Sequence, residues 1–319
     1  MGASLLAAPL AGLAQRPARM PTVGFLISET PAGQESRLEA LRTGLRERGY
    51  VEGKNIAIEM RSAVGEYERL PKLADELVHL RVDVLVAFGS KAAQAARSAG
   101  TTIQVVVPVM GDPLAVGLTS SLAGPSMNIT GSAIFSTEFI GKRIELLKEI
   151  MPRLTRVALL VDAANATSAS ESFNAAMRAT AKTLRLDLQR VVVRSSAEIP
   201  GTFATLAKGR IDAVYVTTDT LFQASLAEIA NLAARQRLLS IGTGAFADAG
   251  GLIGYGVNDA EMYRRGAYFV DRLLKGAKPG ELPIEQATRF ELVVNQRTAK
   301  ALGIKIPQAL LLRVDRVIE

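Results

Sequence analysis

The residues able to do chemistry in this chain sit just after its apolar, strand-like runs. Those runs end in Ser28-Glu29-Thr30, in Gly89-Ser90-Lys91 and in Met110-Gly111-Asp112-Pro113; further along they end in Asp162, in Thr217-Thr218-Asp219 and in Gly242-Thr243-Gly244. Three separate carboxylates could bind a metal, act as an acid and base pair, or accept hydrogen bonds from a polar ligand. Asp112, Asp162 and Asp219 lie on different strand ends without the short spacing of a calcium loop, so hydrogen bonding to a ligand is the better fit. Asp219 is expected to accept from a ligand ammonium group, with capping of the helix after it, read as Thr220 to Ala234, as the bland alternative. Ser90, between Gly89 and a helix beginning Lys91-Ala92-Ala93, reads either as an N-cap or as the start of an anion site in which helix amides meet a carboxylate.

Other chemistries are removed by composition. The chain has no cysteine, which excludes disulfides, thiolate nucleophiles, iron–sulfur clusters and Cys-ligated zinc and leaves the redox compartment open. Its one histidine, His79, lies on a helix whose buried stripe is supplied by Leu73, Leu77 and Leu80, so it reads as half exposed rather than catalytic. No cofactor motif survives inspection. Gly242-Thr243-Gly244-Ala245-Phe246-Ala247 fits G-x-G-x-x-A but leaves no room for the helix that would carry a pyrophosphate, and it reads as a ligand-facing loop. The net charge of +7 comes from Lys and Arg scattered singly along helices, which argues for a solvated surface and against a nucleic-acid partner.

The elements that must position these residues alternate. Strand candidates Val23–Ile27, Asn55–Met60, Val82–Phe88 and Ile103–Val107 are separated by helices near Glu35–Arg48, Tyr67–Leu80 and Lys91–Ala99. After a helix over Glu138–Ile150 a second series follows, at Val157–Val161, Leu188–Val193, Ala213–Thr217 and Leu238–Ile241. Such alternation predicts an α/β chain with parallel, doubly wound sheets, and 319 residues at roughly 100 to 200 per domain favour two of them. Between Gly250 and Glu319, a glycine-punctuated strand through Tyr255, an amphipathic helix from Asp259 to Lys275, the Pro279-Gly280-Glu281-Leu282-Pro283 hinge and a strand at Phe290–Val294 suggest a chain crossing between lobes.

Ala3 to Ala14 is an uncharged apolar run ending in small residues, like the core and cleavage region of an export signal, though without a positive start. It is too short to span a bilayer, and no other run reaches the ~18 apolar residues a membrane helix needs.

Several separated motifs, in order, carry a resemblance. Gly111-Asp112-Pro113 with Gly117-Leu118, Asn128-Ile129-Thr130-Gly131, Gly250-Gly251-Leu252 with Tyr255-Gly256, Lys275-Gly276-Ala277-Lys278-Pro279 and the ending Leu310–Glu319 resemble the ABC-transporter substrate-binding protein family that includes tryptophan and phenylalanine binders. Asp162-Ala163-Ala164-Asn165 departs from it, standing where relatives often have an Asn-Pro turn. The resemblance covers about Thr22 to Glu319 and implies a type I periplasmic-binding-protein fold, with two Rossmann-like lobes and three crossovers. It implies a signal remnant and linker over 1–21, lobe one from 22–134 plus 259–282, and lobe two from 135–258 plus 283–319. The implied function is capture of a small amino acid or aromatic or organic acid by hinge closure, and its delivery to an ABC permease and ATPase complex. The implied protein is a periplasmic monomer with no catalytic residue, metal or cofactor. The ligand-facing candidates are Ser28, Glu29, Gly89, Ser90, Asp112, Asp162, Thr218, Asp219, Thr243 and Tyr255, with Phe25, Phe88, Phe135, Tyr215 and Phe222 as further aromatic candidates. Two alternatives stay open: a ligand-sensing regulator core of the same fold, or an enzyme using Asp112 and Asp219 as acid and base.

Overall fold

The computed structural model describes residues 19–100, 103–114, 116–125 and 128–319, without the side chains of residues 33, 136, 138, 166 and 220. The apolar Ala3–Ala14 run lies outside the described residues. Thirteen strands form among them: β1 (Thr22–Ile27), β2 (Ala57–Ser62), β3 (Val84–Phe88), β4 (Gln104–Met110), β5 (Ile129–Ala133), β6 (Arg156–Asp162), β7 (Asp187–Val193), β8 (Ala213–Val216), β9 (Leu239–Gly242), β10 (Ile253–Val257), β11 (Glu285–Gln286), β12 (Phe290–Asn295) and β13 (Arg316–Ile318). They make two sheets, ordered β11-β5-β4-β3-β1-β2 and β13-β12-β10-β9-β8-β6-β7. Every pairing is parallel except β10 with β12.

Both sheets are covered by helices on both faces, which is why their central strands are apolar throughout rather than alternating. All five residues of β3, Val84-Leu85-Val86-Ala87-Phe88, are buried. Leu73, Leu77, Ala92 and Ala96 pack on one face of the first sheet, and Leu38, Leu41, Tyr263 and Val270 on the other. In the second lobe Ile144, Leu147, Phe173 and Leu310 cover one face while Phe203, Phe222, Ile229 and Phe246 cover the other.

The chain passes between the lobes after β5, after β10 and after β11. Apolar residues from all three passages share one cluster: Ile134 and Phe139 from the first, Val257 and Met262 from the second, Ala287 and Phe290 from the third. The Phe139 and Phe290 rings meet edge to face with centroids 5.3 Å apart.

Three sequence expectations change. Residues 283–319 do not all join the second lobe, because Glu285 and Gln286 pair with Ser132 and Ala133 and extend the first sheet before the chain crosses. The helix expected over Thr220–Ala234 is two, Thr220–Gln223 and Leu226–Arg235, broken at Ala224-Ser225. Gly242-Thr243-Gly244 is not a ligand-facing loop but a helix start, with the Thr243 hydroxyl accepting from the Phe246 N–H at 3.4 Å at the head of the Gly244–Asp248 helix.

The Asp259–Leu274 helix returns to the first lobe and lies on the Glu35–Arg46 helix. A methyl group on Gly44 there would fall 2.3 Å from the Arg264 carbonyl oxygen. Alanine normally gains about 1 kcal/mol over glycine inside a helix, but the clash is with backbone and forces the helices apart, an overpacking cost of roughly 1–3 kcal/mol. Gly44→Ala is therefore expected to lower unfolding stability, whereas Gly201→Ala, with nothing within 4 Å, should raise it by up to about 1 kcal/mol; urea midpoints measure both.

Candidate functional site

Strand order decides which polar strand ends meet. In the first sheet β1 has β2 on one side and β3 on the other, and in the second β6 lies between β7 and β8. Helices leave to opposite faces at such a reversal and open a crevice beyond the carboxyl ends of the strands. The two crevices face each other across one cleft. Gly89, Ser90, Lys91 and Gly111 line it from the first lobe, and Asp162, Asn165, Thr167, Thr218 and Asp219 from the second. Its apolar walls include Phe88, Val109, Ile134, Phe173, Tyr215 and Tyr263.

On the first lobe, Gly89 takes φ +94° as it turns β3 into the Ser90–Ala99 helix, a left-handed conformation that favours glycine. Gly89, not Ser90, is the N-cap residue, so the capping expected of Ser90 does not occur. The Ser90 hydroxyl instead accepts from the Gly111 N–H at 3.2 Å, which ties the ends of β3 and β4 together. Lys91 lies over the Tyr67 ring, its Nζ 3.6 Å from the centroid, and the Tyr67 hydroxyl donates to Glu29 at 2.6 Å. Burial pushes the Glu29 carboxyl up; its bond from Tyr67 opposes this, Asp162 adds to it and Lys91 opposes it. Burial pulls the Lys91 ammonium down, against the pull of Asp162, Glu29 and Asp219.

On the second lobe Asp219 is buried, 3% exposed, and its oxygens accept from the Asp162 N–H at 2.9 Å, from the Thr217 hydroxyl at 2.6 Å and from the Asn165 amide. It makes no side-chain cap to the helix that follows. Asp219 is thus the fastener of β6 to β8. Burial raises its carboxyl, while the three donors and a neighbouring carboxylate, Asp162, pull in opposite directions. Asp162 accepts from the Ala164 N–H at 2.8 Å through one oxygen and turns the other to Lys91 across the cleft, 4.0 Å away. The Thr167 hydroxyl is buried with no hydrogen-bond partner, and a methyl group on Gly111 in the opposite lobe would come within 2.9 Å of it. The lobes therefore touch.

Of the ten candidates, Gly89, Ser90, Asp162, Thr218 and Asp219 line this cleft and the others do not. Ser28 is buried and donates to the Phe88 carbonyl at 3.4 Å. Glu29 is held behind Lys91 by Tyr67, Asp112 accepts from the Leu114 N–H at 3.0 Å within its own turn, and Thr243 caps a helix. Tyr255 packs among Phe139 and Phe290 in the cluster between the lobes. Because Asp112 does not line the cleft that Asp219 lines, the acid and base pairing of those two residues is not assembled. Among the aromatic candidates Phe88 and Tyr215 line the cleft, while Phe25 and Phe222 are core and Phe135 packs on the first lobe's core.

Sequence reasoning missed Arg37, Tyr263, Asn165 and Thr167. Arg37 is paired with Asp259, donates to Gln34 at 2.9 Å and lies 5.5 Å from the Tyr263 ring centre. Burial pushes the Tyr263 phenol up to about 12, against Arg37 and with Asp259. Arg37, Tyr263 and Thr167 lie in the first turns of helices and Asn165 caps one, and that position was the available signal.

The model of the ABC transporter substrate binding protein family matches residues 26–318. The chain belongs to that family. It is 24% identical over 262 residues to a tyrosine-binding protein of Clostridioides difficile, covering 82% of this chain and 74% of that relative. The solved ABC domain in complex with L-Trp from Streptococcus pneumoniae superposes with a TM-score of 0.86 at 22% identity, over 93% of this chain and 99% of that one. The ligand-free, open structure of a substrate-binding protein with adhesive properties from Clostridium difficile gives 0.68 at 22% identity, over 93% and 99%. The fold is that of type I periplasmic substrate-binding proteins. Among the described residues of this substrate-binding protein no helix is long and apolar enough to cross a membrane.

The role of Asp219 is open to a direct test. Its raised carboxyl keeps a proton in the folded chain at pH values where the unfolded chain has released it. Its contribution is therefore fullest below the ordinary carboxylate range and falls as pH rises through the raised value. Asp219→Asn should remove that slope and, by setting an amide N–H against a donor, cost about 1–3 kcal/mol at neutral pH; urea unfolding from about pH 4 to about pH 7 measures both.

Proposed function

We propose that the chain captures a small amino acid with an aromatic or branched side chain, closing its two lobes over it and delivering it to an ABC permease and ATPase complex. The observation that carries this reading is the buried, partnerless Thr167 hydroxyl set against Gly111 and near the start of the Ser90–Ala99 helix in the other lobe. The first amides of that helix have no partners within it, and its dipole favours an anion there, so a ligand carboxylate fits between the lobes. The Asp162 oxygen whose nearest cation is Lys91, at 4.0 Å, is the acceptor for an ammonium group, a role that Asp219 cannot fill while it fastens β6 to β8. Phe88, Phe173, Tyr215 and Tyr263 supply walls for an apolar side chain. The tyrosine named for one relative and the L-Trp bound in another support that class.

Closure is supported by the better superposition on the L-Trp complex than on the open, ligand-free relative, 0.86 against 0.68. The touching pairs Lys91 with Asp162 and Gly111 with Thr167 exist only while the lobes are together, so a ligand that adds contacts to both lobes shifts the balance toward the closed form. On this reading the protein is a monomeric binder working in the periplasm after export, and no covalent step is needed.

L-tyrosine, L-tryptophan, L-phenylalanine and leucine are expected to raise the melting temperature, with about 2.7 kcal/mol of added stability at ~100 times the dissociation constant. Aromatic acids lacking the ammonium group should bind at least about tenfold more weakly if Asp162 receives it. No shift and no calorimetric heat with any of these, or with short organic acids, overturns the receptor reading. Export is tested separately by N-terminal sequencing of protein from its native cell, where cleavage near Ala14 is expected and an intact leader in the cytoplasm favours the regulator alternative.

A further inference from the structure

Arg143, on the Ser136–Ile150 helix, is 1% exposed and lies outside the cleft lining. Removing a guanidinium from water is costly, and among the described residues no carboxylate lies within ion-pair distance of it. Its Nε donates to the Tyr255 carbonyl at 2.7 Å and one Nη to the Tyr215 hydroxyl at 3.2 Å. Its cation lies 5.4 Å from the centre of the Phe139 ring and 5.1 Å from that of Tyr215. The other Nη occupies space that a side chain at residue 256 would enter, since a methyl group on Gly256 would sit 3.0 Å from it. This explains the Tyr255-Gly256 pair singled out in the sequence: one residue supplies a carbonyl and the next supplies room.

Arginine can only donate, so the Tyr215 oxygen accepts in this pair and its own proton must point elsewhere. Among the described residues that hydroxyl donates no hydrogen bond, and Tyr215 lines the cleft. We infer that Arg143 is a positioning residue that fixes Tyr215 as a hydrogen-bond donor toward an oxygen of the bound solute. The positive charge behind the phenol polarises its O–H and strengthens it as a donor: burial pushes the Tyr215 phenol above its usual range, and Arg143 pulls it back. Through the Tyr255 carbonyl the same guanidinium anchors β10 two residues before its last residue, Val257, next to the passage between the lobes, so the donor and that passage are held by one group. The inference rests on the cleft being the solute site.

The test uses the full chain labelled with 13C at tyrosine Cζ, as wild type, Tyr215→Phe, Arg143→Met and Arg143→Lys, with L-tyrosine, L-tryptophan, L-phenylalanine and leucine as calorimetric probes. The resonance absent from Tyr215→Phe identifies Tyr215, and in Arg143→Met it should move more than those of the other tyrosines. Tyr215→Phe and Arg143→Met should each weaken probe binding by about 10-fold or more, the double variant by little beyond the worse single, and Arg143→Lys should recover part of the loss. Should Arg143→Met fail to fold, Tyr215→Phe and Arg143→Lys still decide. Affinity of Tyr215→Phe within about twofold of wild type, or a Tyr215 resonance indifferent to residue 143, overturns the inference. If no probe binds wild type, the solute class proposed above falls, and the resonance alone decides whether Arg143 holds Tyr215.

Discussion

Everything in the cleft depends on how β6 is fastened to β8. At the reversal of strand order the chain must send helices to opposite faces; beyond the last ladder pair the Thr217 N–H reaches the Leu160 carbonyl at 3.3 Å, and a side-chain bridge reinforces the joint. The Asp219 carboxylate is that bridge, taking the N–H at the end of β6, the hydroxyl at the end of its own strand and the amide of Asn165. A buried carboxylate without a cation is tolerable only when its lone pairs are filled, and three donors fill them. Asn165, held in this way, accepts from the Thr167 N–H at 2.9 Å and so sets the short helix that carries Thr167 into the cleft.

The first lobe solves the same geometric problem with less charge. There the reversal lies between β1 and β3, and the Ser28 hydroxyl reaching the Phe88 carbonyl is the modest counterpart of Asp219. Charge is kept one layer back, in the Glu29, Tyr67 and Lys91 series, and only Lys91 from this series reaches the cleft. The two lobes thus share an architecture while their side chains do different work, which is why no residue-level repeat is visible between the two series of strands.

The alternation of strands and helices was legible because apolar runs such as Val84–Phe88 and Val157–Val161 are too short for helices and too continuous for half-exposed strands. Polar strand ends were legible too, but not which of them meet. Asp112 and Thr243 have the same local look as Asp162, yet Thr243 follows β9, away from the reversal, and Asp112 turns back into its own loop to accept from the Leu114 N–H although its neighbour Gly111 lines the cleft. Strand order is set by long-range packing and crossover, neither of which leaves a local mark. The short strand β11 and the break at Ala224-Ser225 were missed for a similar reason, since a two-residue pairing and a one-turn interruption barely alter periodicity.

Ser90 shows how a residue can satisfy the right motif for the wrong reason. Its type and place before a helix suit an N-cap, but Gly89 at φ +94° has already turned the chain, so Ser90 enters the helix and its oxygen turns to Gly111. That bond brings the end of β4 against the head of the helix, and because Gly111 has no side chain the opposite lobe can approach until Thr167 nearly touches its backbone. A serine as N-cap would have spent its oxygen on the amides of its own helix. By bonding to Gly111 instead, it leaves the first amides of the helix free for the ligand carboxylate proposed above, at a point where the lobes come together.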